Sequence, residues 1–143
     1  MSKHKSSAIW HGNLPEGNGK MTIGEKAWTG NFSSKSRFEE GTGTSPEELI
    51  AAAHAGCFSM AFSHALANAG HKPESVETSA TATLEKGEDG FNITGILLKA
   101  EGKVPGISEE EFLKIAADAK ENCPVSKALK KSVDIKLDAS LIA

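Results

Sequence analysis

Apolar and polar residues alternate in several short segments, which is the pattern of β-strands that bury one face. The segments with this pattern are residues 7–11, 20–23, 35–39, 76–85, 91–101 and 133–137. The first two flank a turn rich in glycine and asparagine, and we expect an amino-terminal hairpin there. The fourth and fifth flank Gly87-Glu88-Asp89-Gly90 and predict a second, longer hairpin. The third alternates only weakly, and we interpret it as a further strand.

The longest apolar stretch, residues 50–69, contains no Lys, Arg, Asp or Glu. It follows a helix start signal, with Ser45 as N-cap, a proline at the first helical position and Glu48 placed to close a capping box. Gly70 supplies a stop. About 20 residues can span a bilayer, but most apolar residues here are alanine, and His54 is among the polar ones. We therefore predict a helix buried in a soluble core, with no membrane partner.

A second helix is predicted behind Ser108, which precedes three glutamates and apolar residues at helical spacing up to Ala119. Cys123 and Pro124 end this helix, and the proline opens a short one through Lys131. Strands grouped in hairpins with intervening helices predict an α+β fold with an antiparallel sheet and a long central helix, because regular βαβ alternation is missing.

The length of 143 residues fits one domain spanning residues 1–143. The central helix is apolar nearly all round, and so short a chain has few other elements to surround it. We therefore expect a second subunit to cover part of this helix.

Composition and charge narrow the classes of function. A hydrophobic share of 38% and a charged share of 24% are typical of a globular chain. The net charge is −3 and the lysines are scattered, so we expect no nucleic-acid partner. The amino terminus carries positive charge without the apolar run of a signal peptide, which predicts a cytoplasmic protein. The glycines form no nucleotide-binding motif, so we expect no cofactor.

The two cysteines, Cys57 and Cys123, are 66 positions apart, which is not a zinc-binding spacing. A lasting structural disulfide is unusual in the cytosol, so a pair that meets in space would be catalytic or redox-sensing. The alternative is that each cysteine is a small buried hydrophobe. Cys57 lies in an apolar stretch, where burial raises the pKa of a thiol, so a reactive Cys57 would need a cation from another segment.

Arg37 is the sole arginine, and its planar, permanent charge suits the stabilisation of a thiolate. The alternative is an ordinary surface ion pair with a neighbouring glutamate. At about 100° per helical residue, Glu47 lies roughly 80° from Cys57 around the helix, whereas Glu48 points to the opposite side. Glu47 is therefore the carboxylate that we expect to hold the guanidinium near the thiol.

Two histidines lie on the same predicted helix as Cys57. His54 precedes Cys57 by three residues, a spacing that a metal could use, but the further ligands of a metal site are missing, so no metal is expected. We interpret His54 as a buried, hydrogen-bonded histidine and His64 as an interface or core residue. A cysteine hydrolase in which His54 activates Cys57 stays open, although two residues three apart on one rigid helix are poorly aimed for proton exchange.

Four blocks of the sequence match a known pattern and cover nearly the whole chain with similar spacing. They are Arg37-Phe38-Glu39, residues 43–60 (GTSPEELIAAAHAGCFSM), Val104-Pro105-Gly106-Ile107 and Asn122-Cys123-Pro124-Val125-Ser126. In these blocks the chain resembles the OsmC branch of the OsmC/Ohr family of thiol peroxidases.

The resemblance implies an intertwined homodimer in which sheets of both subunits wrap two central helices, each with a reactive cysteine. It implies reduction of organic hydroperoxides in preference to hydrogen peroxide, in stress defence, with a lipoyl-type dithiol as reductant. By position, Cys57 is the peroxidatic thiol, Cys123 the resolving thiol and Arg37 with Glu47 the activating pair, with Glu48 as a fallback. The resemblance also implies sites at the dimer interface, where Arg37 acts beside the cysteine helix of the other subunit. A ligand-binding or redox-sensing dimer without turnover stays open as the alternative.

Overall fold

The computed structural model describes residues 1–142, and Ala143 lies outside the described residues. The elements, in chain order, are β1 (Ser6–His11), β2 (Asn18–Ile23), β3 (Trp28–Phe32), α1 (Ser34–Phe38), α2 (Pro46–Asn68), β4 (Ser75–Gly87), β5 (Gly90–Lys103), α3 (Glu109–Asn122), α4 (Pro124–Leu129) and β6 (Asp134–Ile142). This mixture confirms the predicted α+β class. The chain divides into two compact units, one of residues 1–49 and one that begins at Ile50. The single domain over residues 1–143 stays a prediction.

The first unit contains a three-stranded antiparallel sheet in the order β1-β2-β3, which confirms the amino-terminal hairpin. The prediction of a strand at residues 35–39 is wrong, because that segment forms helix α1. Ser33 caps this helix: its hydroxyl accepts from the Ser36 N–H, and the Ser36 hydroxyl accepts from the Ser33 N–H. These local bonds outweigh a weak alternation of side chains. The third strand is β3 instead.

The second unit contains the sheet β4-β5-β6. The predicted long hairpin is confirmed, with β4 and β5 antiparallel over their full length. The last strand differs from the prediction, because β6 pairs parallel to β5. The helices α3 and α4 form the crossover connection that a parallel pair of strands needs. The sequence pattern shows that helices lie between β5 and β6, but it does not show whether the two strands are parallel or antiparallel.

Helix α2 begins and ends as the sequence predicts. Its N-cap is Ser45, whose hydroxyl accepts from the Glu48 N–H at 3.1 Å. At the other end Gly70 has φ +90°, which glycine adopts without strain. The carbonyl of Leu66 accepts there from the N–H of His71 at 2.9 Å, the bond that closes a Schellman motif. The length of α2 is thus set by local chemistry at both ends.

One face of α2 lies in the core of the second unit. Its fully buried side chains pack with apolar residues of β5 and α3, and the cluster includes Phe58, Phe62, Leu66, Ile96, Leu98, Ala100, Phe112, Ala116 and Ala119. The rings of Phe62 and Phe112 are 5.1 Å apart. Every third or fourth residue of α2 thus lies in this core, which is the spacing that one helical face requires.

The opposite face of α2 is exposed in the single chain, and its cover by a second subunit stays a prediction. Met60 is 77% exposed, and Ala53, Gly56 and His64 are also exposed. Helix α2 is long and apolar enough to cross a membrane by length and composition, and 28% of its most apolar window is buried. The exposed apolar face is the feature of this helix that the chain alone does not explain.

Candidate active site

The two cysteines meet where α2 passes the junction of α3 and α4. The thiol of Cys123 donates a hydrogen bond to the sulfur of Cys57, with the two Sγ atoms 2.9 Å apart. Both cysteines are free thiols. Cys57 is partly exposed and Cys123 is completely buried. The arrangement is a reduced pair whose sulfur atoms lie roughly 0.9 Å beyond the length of an S–S bond.

The backbone around Cys123 fixes the position of its side chain. Its N–H donates to the carbonyl of Ala119 at 2.9 Å and its own carbonyl accepts from Lys127 at 3.0 Å, so Cys123 ends α3 and caps α4 at once. Pro124 cannot continue α3 but suits the first position of α4. The Cys-Pro dipeptide therefore turns the chain at the point where the thiol faces α2.

The surroundings of Cys57 within the second unit disfavour its thiolate. Burial raises the pKa of the Cys57 thiol, and the hydrogen bond with Cys123 adds to the rise. The backbone N–H of Val125, in the first turn of α4, donates to the Cys57 sulfur and works in the opposite direction. The net effect is a raised pKa, so a nucleophilic Cys57 needs a positive charge in addition to these contacts.

Arg37 and Glu47 form a close ion pair in the first unit. The Arg37 Nε donates to both carboxylate oxygens of Glu47, at 3.0 and 3.3 Å, and Nη2 donates to Oε1 at 2.8 Å. The Glu47 side chain is 8% exposed and that of Arg37 is 36% exposed. The guanidinium also lies over the ring of Phe38, 5.2 Å from its centroid. The fork of Arg37 is thereby held in one orientation.

Glu48 makes different contacts from Glu47. Its carboxylate accepts from the hydroxyls of Thr44 and Ser45 at the start of α2. The structure therefore pairs Arg37 with Glu47 and not with the fallback Glu48. The bonds to Glu47 use Nε and Nη2, which leaves the Nη1 edge of the guanidinium outside this pair.

His54 makes a second contact between α2 and α4. Its Nε2 and the hydroxyl of Ser126 share a hydrogen bond of 2.7 Å, and both residues are buried. Burial lowers the pKa of His54, so the imidazole is neutral near neutral pH. The prediction of a buried, hydrogen-bonded histidine is confirmed. Ser126 was not singled out from the sequence, because it lies 72 positions from its partner.

The His54 contacts do not fit a cysteine hydrolase. A base that activates Cys57 would hydrogen-bond to its thiol. The Nε2 of His54 is bonded to Ser126, and its Nδ1 has no hydrogen-bond partner.

His64, in contrast, lies on the exposed face of α2 and contacts Asn68, so the core position predicted for it is wrong and the interface position stays a prediction. Among residues 1–142 no group of three or more metal-binding side chains comes together.

Comparison with known proteins identifies the family. Residues 39–138 match the family model of OsmC-like proteins. The peroxiredoxin OsmC of Escherichia coli K12 is 45% identical over 134 residues, which cover 92% of each chain. The organic hydroperoxide resistance protein OhrB of Bacillus subtilis is 34% identical over 98 residues, which cover 68% of this chain and 70% of OhrB. Among solved structures, an OsmC from Legionella pneumophila, described as an organic hydroperoxide resistance protein, has a TM-score of 0.75 at 29% identity and covers 98% of this chain and 99% of that one.

Proposed function

Because the chain belongs to the family of OsmC-like proteins, we propose that it is a cysteine-based peroxidase that reduces organic hydroperoxides, and hydrogen peroxide less well, in oxidative or osmotic stress. The observation that carries this proposal is the free dithiol, in which a partly exposed Cys57 lies 2.9 Å from a buried Cys123. The names of the relatives, peroxiredoxin and organic hydroperoxide resistance protein, support it. The partly exposed thiol of Cys57 can react with a substrate, whereas the buried thiol of Cys123 can react only with Cys57.

The reaction follows from these positions. The Cys57 thiolate attacks one oxygen of the hydroperoxide, the O–O bond breaks, and the alkoxide leaves and takes a proton to become an alcohol. The sulfur loses two electrons and becomes a sulfenic acid. The Cys123 sulfur then attacks Cys57, the S–O bond breaks and water leaves with the proton of the Cys123 thiol. A dithiol of the lipoyl type reduces the resulting disulfide by thiol exchange.

Arg37 with Glu47 is the proposed activating pair. The raised pKa of Cys57 is the reason why a cation is required, and Arg37 is the sole guanidinium of the chain. Glu47 holds it by three hydrogen bonds through Nε and Nη2. Its free Nη1 edge can then face a thiolate without loss of the ion pair. We propose that it serves the Cys57 of the partner subunit in a homodimer.

The homodimer is supported by the exposed apolar face of α2. A surface helix in a soluble protein usually presents polar side chains to water, whereas this face carries alanine, glycine and the 77% exposed Met60. A second copy that packs its own α2 against this face would bury it. A cytoplasmic location is part of the same proposal, because free thiols persist in reducing compartments. Nucleic acid and membranes have no place in this mechanism.

A steady-state assay tests the proposal. The loss of cumene hydroperoxide would be followed with dihydrolipoamide as reductant, for the wild type, Cys57→Ser, Cys123→Ser and, as a matched control, Ser59→Ala on the same helix. We expect turnover by the wild type and the control, none by Cys57→Ser, and a disulfide on non-reducing gels only when both cysteines are present.

Two results would contradict the mechanism. Full activity of Cys57→Ser would remove Cys57 from the catalytic step. A wild type that forms its disulfide once and consumes no further peroxide with any dithiol would be a sensor and not an enzyme.

A further inference from the structure

Two side-chain contacts join α2 to the start of α4, and one of them is the contact between the two thiols. Cys57 meets Cys123 at 2.9 Å, and His54, three residues before Cys57, meets Ser126, three residues after Cys123, at 2.7 Å. Three residues are close to one helical turn, so the second contact lies one turn from the first along both helices.

The His54–Ser126 contact is maintained at a cost. Both residues are buried, and Nδ1 of His54 lies in this environment without a hydrogen-bond partner. A buried polar atom without a partner opposes folding, and an apolar side chain of similar size would avoid that opposition. Stability of the fold therefore does not explain why a histidine lies at this position. A role for its hydrogen bond to Ser126 does explain it.

From these positions we propose that the hydrogen bond between His54 and Ser126 is a latch that holds α4 against α2 and so keeps Cys123 within reach of Cys57. The inference rests on the peroxidase function proposed above. His54 and Ser126 are positioning residues, since neither touches the peroxide. They act by setting how often the two sulfur atoms are within bonding distance.

The latch matters because the Cys57 sulfenic acid has two fates. Attack by Cys123 gives the disulfide, with loss of water, and a dithiol then restores the enzyme. Attack of the sulfenic sulfur on a second hydroperoxide breaks that O–O bond, forms a second S–O bond, releases an alcohol and gives a sulfinic acid that thiols do not reduce. A Cys123 held close favours the first fate, so the latch protects the enzyme from its own substrate.

The experiment measures the dithiol without any peroxide. The equilibrium between the reduced pair and the disulfide would be determined in dithiothreitol redox buffers for the wild type, Ser126→Ala, His54→Leu and the double variant. Ser59→Ala is the matched control, because it removes another α2 hydrogen bond, the one of 2.8 Å to Thr78, without touching α4. Melting temperatures would be recorded in parallel to separate loss of stability from a change of potential.

We expect Ser126→Ala to weaken disulfide formation about tenfold, the effect of a lost buried hydrogen bond, which corresponds to a potential about 30 mV higher. His54→Leu should have the same effect. The double variant should add little to either single change, because both changes remove the same hydrogen bond. After cumene hydroperoxide, the sulfinic fraction found by mass spectrometry should rise in the same order.

The latch is overturned if Ser126→Ala keeps the potential of the wild type and of Ser59→Ala, or if the effects of the two single changes add. If His54→Leu does not fold, the comparison of Ser126→Ala with Ser59→Ala decides alone. Failure of the proposed peroxidase function would be recognised separately, because a Cys123→Ser variant would then form no sulfenic acid with hydroperoxide. That result would not change the measured potentials of the dithiol.

Discussion

Replacement of Arg37 by glutamine tests how the Cys57 thiol is activated. Burial raises the pKa of Cys57, the contact with Cys123 adds to the rise, and the N–H of Val125 opposes it only in part. An ordinary thiol with a pKa near 8.5 is about 3% thiolate at pH 7. Without a cation, Cys57 should therefore be less ionised than that at pH 7.

The expected loss follows from this fraction. If Arg37 holds Cys57 fully ionised, its removal lowers the thiolate fraction at least about 30-fold at pH 7. A thiolate of higher pKa is also a stronger nucleophile, which returns part of the loss, so we expect a rate of peroxide reduction lower by about tenfold at pH 7. The difference from the wild type should shrink as pH rises, because Cys57 then ionises unaided.

The assay is the pH dependence of alkylation of Cys57 by iodoacetamide in a Cys123→Ser background, together with the pH dependence of peroxide reduction. Arg37→Lys keeps the charge and should retain part of the activation. Glu47→Gln keeps the shape but removes the carboxylate. Because Arg37 is partly exposed, we expect the weakened ion pair to cost only about 1 kcal/mol, or roughly fivefold in rate.

The reasoning would be refuted by an Arg37→Gln variant whose Cys57 titrates at the same pH as in the wild type. A rate loss that is equal at every pH would also refute it, because such a loss would not come from ionisation of the thiol.

The remaining predictions concern stability and assembly. Phe62→Ala should lower the free energy of unfolding by about 3–5 kcal/mol in urea titrations, because its ring is fully buried against Phe112; a loss below about 1 kcal/mol would contradict the described core. His54 has a lowered pKa in the folded chain, so stability should be constant above the unfolded value of 6.5 and fall as pH drops below it, and this fall should be smaller in His54→Gln. Met60→Glu should convert a dimer to monomers in analytical ultracentrifugation with little change in the monomer fold; an unchanged sedimentation coefficient would remove α2 from the interface.

Elements with strong local signals were predictable from the sequence. Ser45 and Gly70 determine where α2 begins and ends through bonds to their near neighbours. The long hairpin of β4 and β5 likewise follows from alternation and a glycine turn. The helix α1 was missed because its capping serines, Ser33 and Ser36, carry no apolar periodicity.

Contacts between distant segments were less predictable. The parallel pairing of β6 depends on the path of the chain through α3 and α4, which no local pattern reveals. The pairing of Arg37 with Glu47 was expected from the helical angle and is found in the structure. Ser126 lies 72 residues from His54, and neither residue type indicates the other, so only the folded chain could bring this pair to attention.

The position of the cysteines also has a thermodynamic consequence. The two cysteines are 66 positions apart, and the segment between them includes the β4–β5 hairpin and α3, so a bond between the two sulfur atoms would close nearly half of the chain into a ring. A ring of that size has far fewer unfolded conformations than an open chain, and the chain-entropy relation gives about 4 kcal/mol of added resistance to unfolding. The oxidised molecule should therefore melt at a higher temperature than the reduced one. A protein of this design would become hardest to denature at the moment when oxidants are most abundant around it.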